Sequence, residues 1–250
     1  MTAAANKTIG FLSLVWGLFA LPPHAQAILG GDAGLALKPH LVMIVSDHGS
    51  LCSGVVLDRR VILTAAHCVS GGGSYRLHWR NETNQPVLAE PAQIIRHPDF
   101  KADAVKTRQR SVDLAILTSK TDLPPSFEPV TLVQAATPPP AKDSRLTIAG
   151  YGLRDEHDPN SAGQFATVTL PVIMPYGPGR ILVWLGGKQS GACAGDSGGG
   201  IFNEDGHLVA VTIWSEGQGK NNCGALTQGL LIAPQHGWIA RELGRLKQAQ

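Results

Sequence analysis

The sequence predicts an all-β fold built from short antiparallel strands. Three observations predict it. Glycine and proline number 29 and 17 in 250 residues, charged residues are only 16%, and short β-branched runs recur between turn residues. Glycine and proline punctuate turns, so a chain rich in both with modest charge is turn-dense rather than helical. Hydrophobic residues make up 43% of the chain, enough for one or two packed cores.

The strand candidates follow in chain order. Leu41 to Ser46 (LVMIVS), Ser53 to Leu57 and Val61 to Leu63 are β-branched runs, and Asp58-Arg59-Arg60 is the expected hairpin turn between the last two. Ala92 to Arg96, Leu114 to Leu117, Leu146 to Ala149, Ala166 to Val172, Ile181 to Trp184 and Leu208 to Trp214 continue the pattern. This spacing fits a sandwich or barrel better than alternating β and α units. Residues 121–142 hold six prolines and few strand signals, and read as a connection between two β units. Beyond Pro234, Trp238, Ile239, Leu243 and Leu246 recur at near-helical spacing, which predicts one amphipathic terminal helix.

Residues 1–27 differ from the rest. Lys7 precedes an apolar run of thirteen residues, Ile9 to Leu21; Pro22 and Pro23 end it, and Ala25-Gln26-Ala27 offers small residues at a cleavage site. Thirteen residues make a helix of roughly 20 Å, too short for a hydrocarbon core of about 30 Å. A secretory signal peptide over 1–27 is therefore expected, with a single mature unit over 28–250. The product is expected outside the cytoplasm, extracellular or periplasmic, with no membrane anchor after cleavage.

Export permits disulfides. Cys52, Cys68, Cys193 and Cys223 allow three connectivities, and spacing cannot choose among them. Local pairing, Cys52 with Cys68 and Cys193 with Cys223, is the simplest. No Cys-x-x-Cys pair and no paired histidines at ligand spacing support a metal. The net charge of +2 and the absence of a long basic run argue against a nucleic-acid partner.

Three segments carry chemistry. Gly195-Asp-Ser-Gly-Gly199 sets Ser197 among glycines, where a sharply turned backbone can aim N–H groups at one point. A serine hydroxyl needs a neighbouring base to become a nucleophile. Thr64-Ala-Ala-His-Cys68 supplies His67. Asp113 opens the apolar run DLAIL, where a carboxylate is costly unless a partner receives it. GDSGG also matches the nucleophile elbow of α/β-hydrolases. That arrangement needs an acid and then a histidine after the serine. Only 53 residues follow Ser197, with His207 and His236 as their only histidines, and no βαβ pattern surrounds the motif.

The order His67, Asp113, Ser197, together with Ile28-Leu-Gly-Gly31, TAAHC, DLAIL and GDSGG, resembles the chymotrypsin-like (trypsin-like) serine proteases. The resemblance spans nearly all of 28–250. It implies two antiparallel six-stranded β-barrels, a C-terminal helix and a catalytic cleft between the barrels. His67 would be base and then acid, Asp113 would orient it, and Ser197 would be the nucleophile. The N–H groups of Gly195 and Ser197 would form the oxyanion hole. The same local disulfide pairing is implied, with no cofactor. A polypeptide substrate is expected, with a protein inhibitor as a second candidate partner and a monomer as the working form.

In the family a freed α-amino group pairs with the aspartate before the nucleophile; here these are Ile28 and Asp196. Expected signal cleavage between Ala27 and Ile28 would then create the activating N-terminus directly. The primary specificity pocket would use Gly191 at its base and Trp214, Ser215 and Gly229 as walls. Without a carboxylate at Gly191, a small to medium apolar residue is expected before the cut bond, and Glu216 is the nearby acid that could favour a basic one. Two departures stand out. Ile213 occupies the place of a serine that hydrogen-bonds the catalytic aspartate, and Gly200 replaces a proline.

Overall fold

The computed structural model describes residues 28, 34–107, 109–174 and 180–248. The apolar run and cleavage signal expected within 1–27 lie outside the described residues, as do Leu29, Gly30 and Gly31 of the ILGG segment.

Two antiparallel β units follow one another. The first contains β1 (Leu41–Ser46), β2 (Leu51–Asp58), β3 (Val61–Thr64), β4 (Tyr75–Arg80), β5 (Pro86–Ala89), β6 (Pro91–Arg96) and β7 (Ala115–Ser119). Their order across the sheet is β5-β4-β1-β2-β3-β7-β6. The second contains β8 (Arg145–Gly150), β9 (Ala166–Met174), β10 (Leu182–Gly186), β11 (Gly200–Phe202), β12 (Leu208–Glu216) and β13 (Leu226–Leu231), closed as β10-β13-β12-β11-β8-β9.

The second unit has the six strands the resemblance implies, and the first has seven. The extra strand is β5, which pairs Val87 with Trp79 and Leu88 with His78 across a turn at 81–85. Asn81 makes that turn: its side chain accepts from Thr83 N at 3.1 Å and Gln85 N at 2.8 Å. An asparagine bonding its own following backbone is a turn former.

Four strands escape the sequence pattern for physical reasons. β4 (YRLHWR) alternates large polar and apolar side chains without a β-branched run. β5 opens on a proline at a sheet edge, where no ladder N–H is needed. β11 is three residues long and starts with glycine. β13 begins in the mixed stretch LTQG and is held by neighbours on both sides, β10 and β12.

Residues 120–144 join the units and bond to both. Leu123 N donates to Arg59 O (2.8 Å) and Val130 N to Val56 O (2.9 Å) in the first unit. Leu208 N then donates to Thr131 O (2.8 Å) in the second. The C-terminal helix, His236–Gln248, buries Trp238, Ile239 and Leu246 against the larger core. It also reaches back to the first unit, where the Trp238 ring packs 4.8 Å from that of His97 and Lys247 Nζ lies 3.2 Å from Asp58 Oδ2.

The larger core draws on both units, with Val55, Leu63 and Ile116 from the first and Ile148, Val183 and Val211 from the second. A smaller core, including Val42, Ile44, Ile62 and Leu77, lies within the first unit. Ile213 of β12 packs against both.

Candidate active site

The three chemistry-bearing segments meet where the two units touch. A one-turn helix at Ala66–Val69 follows β3 and carries His67. Asp113 immediately precedes the fully buried Leu114 and strand β7. It meets His67 twice: Oδ1 accepts from the His67 backbone N–H at 2.8 Å, and Oδ2 lies 2.6 Å from His67 Nδ1. The Asp113 side chain is 15% exposed and that of His67 is 38% exposed. The imidazole is thus oriented by a largely buried carboxylate while its other face remains open. The Cys52–Cys68 disulfide, with Cα atoms 6.1 Å apart, ties β2 to this turn. Cys68 Sγ lies 3.7 Å from His67 Nε2 and 3.6 Å from Ser197 O, so the disulfide sits between histidine and serine segments. No hydrogen bond joins the Ser197 hydroxyl to His67 here, and such bonds tighten when substrate fills the site.

The Ser197 segment is fastened by the first unit. Ser53 of β2 does most of this: its N–H donates to Ser197 O at 2.8 Å, its hydroxyl donates to Gly195 O at 2.9 Å, and the same oxygen accepts from Tyr151 N at 3.0 Å. Thr64 donates in turn to Ser53 O at 2.7 Å. Gly198 N donates to Thr212 O at 2.7 Å. Gly198 has φ +83°, and a Cβ there would collide with Ser53 O and the Thr64 hydroxyl. Glycine is required for both reasons. Gly195 has φ +101°, and a Cβ would lie 2.8 Å from Gly152 Cα. Neither Gly195 N–H nor Ser197 N–H takes a partner among the described residues, leaving both available at the segment the resemblance assigns to the oxyanion hole.

Asp196 is fully buried. Its carboxylate accepts from Gly152 N at 2.8 Å and Cys193 N at 2.9 Å, with no cation beside it among the described residues. Burial pushes its pKa up to about 7, against the lowering effect of those two bonds. Ile28 is fully buried within the larger core, with φ +62°. A β-branched residue in the left-handed region is strained.

The residues expected to line the pocket lie as follows. Gly191 and the buried Ala192 lead into the Cys193–Cys223 disulfide, whose Cα atoms are 5.1 Å apart. Ser215 lies opposite Thr227 in the β12–β13 register, and Trp214 packs edge-on against Trp184 at 5.9 Å. Gly229 lies deeper: a Cβ there would fall 2.5 Å from Ile201 Cδ1, inside the barrel. The residue that meets Gly191 and Ala192 is Thr227. Its hydroxyl accepts from Ala192 N at 2.9 Å and would lie 3.0 Å from a Cβ on Gly191. Ile213 offers Asp113 no hydrogen bond, so both bonds to that carboxylate come from His67.

Thr227 carries no motif, and only strand register could have placed it. Glu156 is a second residue without a sequence signal; it lies against the pocket disulfide with Oε2 3.4 Å from Cys223 Sγ. The Glu156, Cys193 and Cys223 grouping does not suit a metal ion, because both sulfurs are bonded to each other.

Comparison with known proteins accounts for this architecture. Rat (Rattus norvegicus) granzyme M is 25% identical over 245 residues, covering 89% of this chain and 91% of its own. Human (Homo sapiens) kallikrein-8 is 28% identical over 235 residues, covering 88% and 87%. The solved structure of human heparin binding protein superposes with a TM-score of 0.71 at 22% identity, covering 87% of this chain and 97% of that one, and so shares the fold. The family model described as Trypsin matches residues 29–230, and on that span the chain belongs to the trypsin family of serine proteases.

Proposed function

We propose that the chain is an exported serine endopeptidase that acylates Ser197. The observation that carries this reading is the two-point contact of His67 with Asp113, opposite a serine whose segment leaves two N–H groups free. In the proposed reaction His67 Nε2 takes the Ser197 proton as Oγ attacks the substrate carbonyl. The proton then passes to the leaving amine, and water enters by the same route in reverse. Asp113 holds Nδ1–H and stabilises the imidazolium. The N–H groups of Gly195 and Ser197 receive the negative oxygen of the tetrahedral intermediate.

The proposed specificity is for a small neutral residue before the cut bond. Gly191, Ala192, Thr227 and Ser215 present no charge, and the Thr227 hydroxyl narrows the base at Gly191. A buried lysine or arginine would lack a counter-charge.

Activation is proposed to follow cleavage between Ala27 and Ile28. Asp196 is a buried carboxylate with two backbone donors and no cation among the described residues, and a freed α-amino group would be its partner. Cleavage also abolishes the strained φ of Ile28, because that torsion runs through the bond to residue 27. Export is supported by two disulfides, which persist in oxidising compartments.

A fluorophosphonate probe tests the central claim. The purified product beginning at Ile28 is expected to be labelled, and Ser197→Ala to lose the label. No labelling of the wild type would favour a protease-like binding protein. Labelling with ester but no peptide turnover would make it an esterase. Mass spectrometry of the exported protein should give Ile28 as first residue, and a peptide library should select small neutral side chains over arginine.

A further inference from the structure

Glu156 lies in the connection between β8 and β9, outside every catalytic motif. Its side chain is only 6% exposed. Oε2 accepts from Asn222 N at 2.7 Å and from Cys223 N at 3.3 Å. Oε1 is buried without a hydrogen bond, with Nε2 of the exposed His157 at 3.5 Å. Burying a carboxylate is costly, so two backbone N–H groups from a distant loop are a specific compensation.

Those two N–H groups belong to the loop that the proposed specificity reading makes the pocket rim. The rim, residues 217–223, leaves β12 after Glu216 and returns through Cys223. Its internal support is slight: Asn221 N donates to Gln218 O at 3.3 Å. The disulfide and Glu156 are its outer anchors.

The other end of the Glu156 segment is fixed beside the nucleophile. Gly152 N donates to Asp196 Oδ1 at 2.8 Å, and Leu153 N donates to Ala194 O at 2.8 Å. Cys193, the disulfide partner of Cys223, donates its own N–H to Asp196 Oδ2 at 2.9 Å. A closed circuit therefore runs from Asp196 through residues 152–156 to the rim, and back through the disulfide to Asp196.

We propose that Glu156 is a positioning residue for the substrate pocket, fixing the 217–223 rim relative to Ser197. It touches no reacting atom; it acts by holding backbone. The inference rests on the peptidase reading above for its kinetic consequence, but the hold itself does not.

The test compares the mature wild type with Glu156→Ala and Glu156→Gln. Three quantities are read: peptide kinetics, the rate of fluorophosphonate labelling, and amide hydrogen exchange over 217–223. In Glu156→Ala, KM for a peptide substrate is expected to rise about tenfold or more, as loss of a charge-assisted hydrogen bond implies. The kcat value and labelling rate should change less than about threefold, because the reagent needs Ser197 but not the rim. Exchange at Asn222 and Cys223 should accelerate. Glu156→Gln keeps an acceptor oxygen and should recover most of the KM; it also serves if the alanine variant fails to fold. Faster exchange with unchanged KM would overturn the positioning role, as would a parallel fall in kcat and labelling. Failure of the wild type to label would refute the peptidase reading instead, and the exchange comparison would then decide the hold: unchanged exchange overturns it.

Discussion

At the scale of single residues, the site exchanges polar support for packing at Ile213. Ile213 touches both hydrophobic cores, and among the described residues Asp113 takes hydrogen bonds from His67 alone. Ile213→Ser should place a third donor near that carboxylate while removing apolar contact from both cores. We expect kcat to rise several-fold and stability to fall by about 2 kcal/mol, read by steady-state kinetics and denaturant unfolding. Thr227 is the other decisive residue. Thr227→Gly should deepen the pocket and raise the preference for phenylalanine over alanine before the cut bond about tenfold, read as a ratio of kcat/KM values. His67, Asp113 and Ser197 were legible because each stands in a short motif whose residue types the chemistry needs. Thr227 and Glu156 were not, because their placement comes from strand register and from a long connection folding back, which no local pattern encodes.

Among the elements, legibility followed composition. β1, β3 and β12 are runs of β-branched and large apolar residues, and the sequence pattern predicts them closely. β5 and β11 are stabilised by their neighbours rather than by their own residues, and were silent for that reason. The C-terminal helix begins at His236, two residues past the expected Pro234, because Ala233–Gln235 first forms a tight turn. The segment between β10 and β11 carries the tightest constraint. Gly198→Ala requires an L-residue at φ +83° and drives a methyl into Ser53 O and the Thr64 hydroxyl. The variant should lose more than about 3 kcal/mol of stability, measured by chemical unfolding on a Ser197→Ala background to exclude self-digestion.

For the whole molecule, the buried charge of Asp196 ties stability to pH. Its folded pKa of about 7 lies above the unfolded carboxylate value of roughly 3.9. The folded state therefore binds the proton more tightly, and the uncleaved chain should lose stability as pH rises from about 4 to about 7, then level off. Thermal midpoints of the Ser197→Ala precursor should be lower at pH 8 than at pH 5, and Asp196→Asn should flatten the difference. In the cleaved protein the α-amino group would offset the same charge, so the slope should weaken there too. The Ser53 contacts carry a different consequence. One serine of the first unit holds the backbone of Ser197 and Gly195 in the second, and Tyr151 through the same hydroxyl. The inheritable module is therefore not either half of the chain. A chimera joined within residues 120–144 would separate Ser53 from the loop it fits, whereas grafts that carry β2 together with 195–198 should keep the nucleophile in place.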